Sequence, residues 1–299
     1  MTTPTTLHEA LLGFKSSSLT PLEAQLLMLH ALGRESHERA WLLTHGDDVL
    51  SPEALERFQG YAQQRVDHVP LSYITGHKEF YGLNLRIDAR VLDPRADTET
   101  LVDWALSLLK QHPLAVGAKP LEVLDLGTGS GAIALAIKAN TSHCSVWAID
   151  SSQDALDVAN MNATQLGLEL HCFKSHWFEA WSAPSVTNSA PKANLPDLFD
   201  LIVSNPPYIA PDDPHLASLM HEPLRALVAQ ELGMQDLREI CTHAKAHLKP
   251  GAWLILEHGH DQSQGVQKML LELGYAHPQS RCDLAGIERC TGAQWLKMK

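Results

Sequence analysis

The sequence has no apolar run approaching the ~18 residues that a membrane span needs. No apolar stretch follows a basic start at its N-terminus, so no secretory leader is expected. Positive charge is scarce. Only 23 Lys and Arg face 35 Asp and Glu, a formal net charge of −12, which argues against a surface that wraps nucleic-acid phosphates. The five cysteines (Cys144, Cys172, Cys241, Cys282, Cys290) are odd in number and show no C-x-x-C. They are expected to be reduced thiols of a cytoplasmic protein. Metal-ligand patterns are missing too. Among 17 histidines, His243 and His247 sit i, i+4, and His258 and His260 flank a glycine. No acid completes a familiar ligand set beside either pair, and no metal is expected.

What is present is core material. With 299 residues, 44% of them hydrophobic, about two domains are expected. The first ~70 residues read as small helices. Thr6 to Glu9 and Thr20 to Glu23 have capping-box spacing, and Ser51-Pro52 is a further helix start. Leu22, Leu26, Leu29 and Leu32 trace one apolar face of the second helix. From Pro70, "YITGHKEFYGLNLRIDARVL" alternates around Gly82 as a hairpin does, and "DPRADTETLVDWALSLLK" reads as a turn entering a helix. The boundaries expected are a helical domain over 1–69, a hairpin linker over 70–92 and an α/β domain over 93–299. From Leu121 strands and helices alternate, which predicts a parallel sheet covered by helices, with two antiparallel strands at the end. Ser182 to Pro196 is polar and proline-rich, an expected exposed loop.

Two stretches carry chemistry. "VLDLGTGSGAIALA" sets Gly127, Thr128, Gly129, Ser130 and Gly131 between a strand and a helix. Glycines there permit positive φ and close approach of a ligand to the backbone. The spacing Gly127-x-Gly129-x-x-Ala132 also meets the loose dinucleotide fingerprint, and a tight turn without a ligand is the plain alternative. Asp150 ends the next strand about 20 residues on, where a carboxylate takes ribose hydroxyls. Asp125, just before the glycines, opposes a pyrophosphate and suits a cationic nucleoside. S-adenosylmethionine has the ribose and the cation and lacks phosphate.

The second stretch is "FDLIVSNPPYIAPDD". A buried strand runs to the carboxyl edge of the sheet and stops at Asn205-Pro206-Pro207-Tyr208. The prolines fix the local backbone. The Asn205 side-chain oxygen and the Pro206 carbonyl offer two acceptors, and Tyr208 offers a flat face. The set matches a planar, conjugated NH2 group, whose nitrogen could be held and turned towards a methyl donor.

Together "DLGTGSGAIALAI", "AIDSSQDAL", "FDLIVSNPPYI", "HLKPGAWLILEHGHDQ" and "DLAGIER" resemble the protein-glutamine N5-methyltransferases. Within that family the resemblance is to the branch that methylates the glutamine of the Gly-Gly-Gln motif in peptide chain release factors. "PLSYITGHKEFYGL" and "PRADTE" resemble the family's hairpin and substrate-pocket motif. The match runs from about Pro70 to Gly292, and the N-terminal helices fit a recognition domain in size and type. It implies a Rossmann-like S-adenosylmethionine-dependent methyltransferase domain with a mostly parallel seven-stranded sheet. It implies cofactor residues Gly127 to Gly131, Asp150, Trp177 near the adenine, and Asn205. Asn205 to Tyr208 would hold the glutamine. The partner implied is a release factor, with no direct nucleic-acid or membrane binding. The chain departs from the pattern at Asp93 and Ala96 (usually Ile-Pro-Arg-Pro), at His176 (usually an acid) and at "AQELG" (usually Gly-Gly-x-Asp-Gly). Glutamine methylation of a ribosomal protein and adenine-N6 methylation of DNA use similar chemistry and stay as alternatives. So does a non-catalytic module that keeps the cofactor fold.

Overall fold

The computed structural model describes residues 5–13, 19–111, 119–182 and 195–296. The chain forms two compact units, Met1–His77 with Ser218–His221, and Lys78–Ala217 with Glu222–Lys299. No helix among the described residues is long and apolar enough to cross a membrane.

The first unit holds α1 (Leu7–Gly13), α2 (Pro21–Ala31), α3 (Arg39–Thr44), α4 (Pro52–Val66) and α5 (Leu71–Thr75). Both expected capping boxes form. Thr6 Oγ1 accepts from Glu9 N at 3.2 Å, and the Glu9 carboxylate accepts from Thr6 N at 2.9 Å. Thr20 and Glu23 repeat the arrangement, and Ser51 caps α4. Each such cap is worth about 1 kcal/mol. Leu27, Met28, Leu29 and Phe58 form the centre of the core. The expected face of α2 is fully buried only at Leu29: Leu22 is 47% exposed, and Leu26 and Leu32 are half-buried. The buried stripe is Ala24, Leu27, Met28 and Ala31, which has the same helical spacing, and Leu29 is buried beside it. α2 is apolar on most sides, so periodicity alone could not choose between the stripes. The stretch from Pro70, read as the start of a hairpin, first makes α5, which Gly76 ends at φ 76°.

The hairpin follows as β1 (His77–Phe80) and β2 (Leu83–Arg86). α6 (Glu99–Lys110) comes next, then β3 (Leu121–Leu126), α7 (Ala132–Asn140), β4 (Cys144–Asp150), α8 (Gln153–Leu166) and β5 (His171–Lys174). After the short α9 (Glu179–Ser182) come β6 (Phe199–Ser204), α10 (Gln230–Gly233), α11 (Gln235–Ala244) and β7 (Leu248–Glu257). The chain continues through α12 (Ser263–Glu272), β8 (Ala276–Cys282) and β9 (Glu288–Gln294). The strands form a seven-stranded sheet in the order β5-β4-β3-β6-β7-β9-β8. Its first five strands are parallel, and β9 is antiparallel to both neighbours. This is the architecture the alternation of strands and helices indicated. β3 and β6 are buried along most of their length, as central parallel strands require. The proline-rich stretch read as a loop falls largely on 183–194, outside the described residues.

Chain order reverses at β3. The chain steps outward through β4 and β5, then returns to lay β6 on the other side of β3. Ligands of open α/β sheets bind where such a reversal leaves a crevice at the carboxyl ends of the strands. Both chemistry-bearing stretches begin at that edge.

Candidate active site

The glycine turn is pinned from below. Gly127 N and Thr128 N both donate to Ile149 O, at 2.8 and 2.9 Å. Gly127, Gly129 and Gly131 all have positive φ, between 55° and 82°. Their roles differ. A Cβ on Gly127 would press the Trp177 ring at 3.3 Å, and one on Gly131 would press Ala159 of α8 at 3.2 Å. Around Gly129 a Cβ would meet nothing within 4 Å, so this glycine faces open space. Asp150 closes the turn: its Oδ2 accepts from Gly129 N at 3.0 Å and its Oδ1 from Ser152 N at 2.8 Å. Asn162, fully buried, donates to Ser130 O at 2.9 Å and accepts from Arg86 N at 2.7 Å, tying the turn to β2.

These groups border a cavity of about 230 Å³ whose lining includes Gly127, Gly129, Asp150, Trp177, Asn205 and Pro207. The other expected residues stand off the lining. Thr128 is 6% exposed and donates to Asp125 Oδ2 at 2.7 Å. Ser130 is buried, and Gly131 is taken up by helix packing. Pro206 is buried, and Tyr208 is half-buried with its hydroxyl donating to Glu257 Oε1 at 3.2 Å. Asn205 Nδ2 donates to Thr98 Oγ1 at 3.3 Å. Trp177 holds its ring against Gly127 and donates Nε1–H to Asp236 Oδ1 at 3.1 Å.

Asp125 does not reach the cavity. It is fully buried, and burial pushes its carboxyl up to about 7 against the opposing hydrogen bond from Thr128. An acid raised in this way stabilises the fold fully only below its unfolded pKa, and that contribution is lost as pH rises through about 7. Asp125→Asn should therefore gain stability relative to the native chain between about pH 4 and 7, by up to about 4 kcal/mol. Urea unfolding of both proteins across that range checks it, and a difference independent of pH would refute it.

The departures from the family pattern have a local explanation at Asp93. Asp93 is 7% exposed, and its Oδ2 sits 3.4 Å from Lys78 Nζ and 3.5 Å from Arg95 Nη1. Arg95 Nη2 pairs with the buried Glu222 Oε1 at 2.5 Å, and Glu222 Oε2 accepts from Asp93 N at 3.1 Å. Two buried carboxylates, Asp93 and Glu222, thus share the cations Lys78 and Arg95, and Asp93 Oδ1 has no partner among the described residues. His176 lies 3.7 Å from Glu239 Oε1 and lines the cavity. His247 stacks on Phe178, and His258 bonds Gly259 O and Thr291 Oγ1.

Comparison with known proteins places the chain in a family. The family description "PrmC N-terminal domain" matches residues 6–76, and "Methyltransferase small domain" matches residues 99–270. A release factor glutamine methyltransferase of Xylella fastidiosa is 41% identical over 285 residues, 94% of this chain and 96% of that protein. The chain belongs to the release factor glutamine methyltransferase family. The family's protein from Bordetella pertussis is 41% identical over 276 residues, covering 92% of this chain and 94% of its own. Among solved structures, the hMettl16 catalytic domain covers 83% of each chain at 17% identity, with a TM-score of 0.53. Human methyltransferase 10 domain containing protein covers 73% of this chain and 90% of its own at 16% identity, with a TM-score of 0.51. Both resemble this chain in fold.

Several residues of the site have no signal in the sequence. Arg90, Arg225 and Asp236 line the cavity. Arg225 donates to Ser152 Oγ at 2.6 Å, and Asp236 receives Trp177. They come from separate loops and from α11, and only folding brings them together. Thr98 lies inside the visible "PRADTE", but its bond to Asn205 spans 107 positions.

Proposed function

We propose that this chain transfers the methyl group of S-adenosylmethionine to the side-chain amide nitrogen, N5, of the glutamine in the Gly-Gly-Gln motif of cytoplasmic release factors. The supporting observation is one cavity bordered by the open Gly129, the Asp150 carboxylate and Asn205. The donor set fits a nucleoside without phosphates, since Gly129 leaves room for a ligand and Asp150 keeps acceptor capacity beside it. When bound, S-adenosylmethionine supplies an electrophilic methyl on a cationic sulfur.

The chain's own residues then do the rest. Gly127, Gly129, Asp150 and Trp177 hold the nucleoside. The Asn205 side-chain oxygen and the Pro206 carbonyl accept the two hydrogens of the glutamine NH2, and Tyr208 packs on its plane. Held so, the nitrogen is turned from conjugation towards the methyl. Fixed carbonyl dipoles stabilise the positive charge that moves onto it. No strong base is needed, because a methylated, protonated amide sheds its proton readily to water. The helical domain over 1–69 docks the release factor, so the pocket itself reads only the amide.

Radiolabelled methyl transfer to purified release factor, ribosomes and DNA in parallel tests this reading. Label in the release factor alone, at its Gly-Gly-Gln glutamine, is the expected result, and label elsewhere overturns it. Within the site, Asp150→Ala should weaken S-adenosylmethionine binding by about 1.5–3 kcal/mol, the worth of a charge-assisted hydrogen bond. Calorimetry giving unchanged affinity would take Asp150 out of the site.

A further inference from the structure

Asn205 and Tyr208 are both tied to one buried carboxyl. Glu257, the last residue of β7, is 1% exposed. Its Oε1 accepts from the Tyr208 hydroxyl at 3.2 Å, and Thr98 also hydrogen-bonds the carboxyl. Its Oε2 has no partner among the described residues. Thr98 Oγ1 in turn lies 3.3 Å from Asn205 Nδ2. Thr98 is 4% exposed, so water does not compete freely for it. The result is a chain of bonds, Asn205 to Thr98 to Glu257, with Tyr208 on the same carboxyl.

Direction along such a chain is set at its end. An ionised carboxyl only accepts, and a threonine hydroxyl has one hydrogen to give. If Thr98 gives it to Glu257, Thr98 must accept from Asn205. The NH2 of Asn205 then faces Thr98, and its carbonyl oxygen is left for the cavity. We propose that Glu257 is a positioning residue that fixes the direction of this hydrogen-bond chain and so decides which end of the Asn205 amide meets the acceptor amide. The proposal rests on the glutamine reading of the site.

A protonated acid, or a glutamine at 257, carries a donor. Thr98 can then accept from position 257 and donate towards Asn205, whose amide turns over. An NH2 pointing into the cavity cannot accept hydrogens from another NH2, so the reversed chain is unproductive. The groups facing Glu257 are Asp97 ahead of α6, Tyr208 after β6, and Arg289 and Cys290 on β9. Burial pushes Glu257 up to about 7, Asp97 adds to this, and Thr98, Tyr208 and Arg289 oppose it. Tyr208 is itself pushed well above its usual range by burial and by Glu257, so it remains a donor. The productive order is therefore complete above neutral pH and fails as pH falls through about 7.

The test uses the full chain with whole release factor and saturating cofactor, across about pH 6 to 9. The native enzyme should show an acid limb in kcat. Glu257→Gln should lower kcat about 10- to 100-fold at the alkaline end, leave both KM values within about threefold, and lack the limb. Thr98→Ser should keep activity and limb, and Thr98→Val should behave as Glu257→Gln. A second readout is independent of turnover. The side-chain amide NMR signal of Asn205, assigned by its loss in Asn205→Ala, should move with pH through a midpoint near neutrality, and stop moving in Glu257→Gln. A Glu257→Gln enzyme with native kcat and a native acid limb overturns the proposal, as does an Asn205 signal indifferent to Glu257. If the native enzyme does not methylate release factor, the functional reading fails alone. The NMR titration still decides the direction of the chain.

Discussion

Replacing Asn205 with alanine should lower kcat for release factor methylation by about 30- to 1000-fold, or 2–4 kcal/mol of transition-state stabilisation. The argument is one of acceptors. An amide nitrogen donates its lone pair to its own carbonyl and attacks poorly. Holding both N–H bonds on fixed carbonyl oxygens turns that lone pair outward and places dipoles where positive charge develops. Asn205 supplies one of the two acceptors, so its loss leaves the amide free to turn. The fold should survive. Among the described residues Asn205 makes one side-chain bond, to Thr98 at 3.3 Å, and a neutral bond of this kind contributes about 1 kcal/mol. Single-turnover kinetics with bound cofactor, beside a thermal unfolding scan, separates the two effects. An alanine variant with native kcat would remove Asn205 from the reaction.

The sequence is informative where its constraints are local. Strand, turn and helix around Gly127 to Gly131 are legible because a parallel strand must be apolar and a βα turn needs glycine. The stop at Asn205 to Tyr208 is legible because two prolines end a strand in any context. Caps are local, so Thr6, Thr20 and Ser51 could be assigned from spacing alone. What stays hidden depends on the other side of a contact. Gly129 opens to the cavity and Gly131 does not, although both look alike in sequence. α2 buries Met28 rather than Leu22, because the partner helices choose among several apolar stripes. Glu257 reads as the polar end of a strand, and only the fold sets Tyr208 and Thr98 against it. The departure "AQELG" falls on α10, whose Glu231, Leu232 and Gly233 leave right-handed helical geometry at φ 54°, 55° and 82°. A Cβ on Gly233 would overlap the Tyr208 carbonyl oxygen. That glycine is required by its neighbour, and nothing in the spacing announces it.

Deleting residues 1–69 should raise KM for whole release factor by about two orders of magnitude while changing activity on a short Gly-Gly-Gln peptide very little. A glutamine side chain offers few contacts. If Asn205, Pro206 and Tyr208 read only an amide, every exposed glutamine would serve, and selectivity must come from binding energy elsewhere on the substrate. The helical unit is suited to supply it, because it is a folded body with its own core around Leu27, Met28 and Phe58 and carries none of the cavity lining. The peptide should be a poor substrate for both proteins, since it gains nothing from the docking surface that the full chain carries and the truncation lacks. The cut leaves α5 behind, and Ile74, now 8% exposed, loses the core it packs in. Circular dichroism and a cooperative unfolding transition must therefore establish first that the truncated chain is folded. A folded truncation that methylates whole release factor with native KM would show that docking resides in the second unit. The helices would then serve the fold alone.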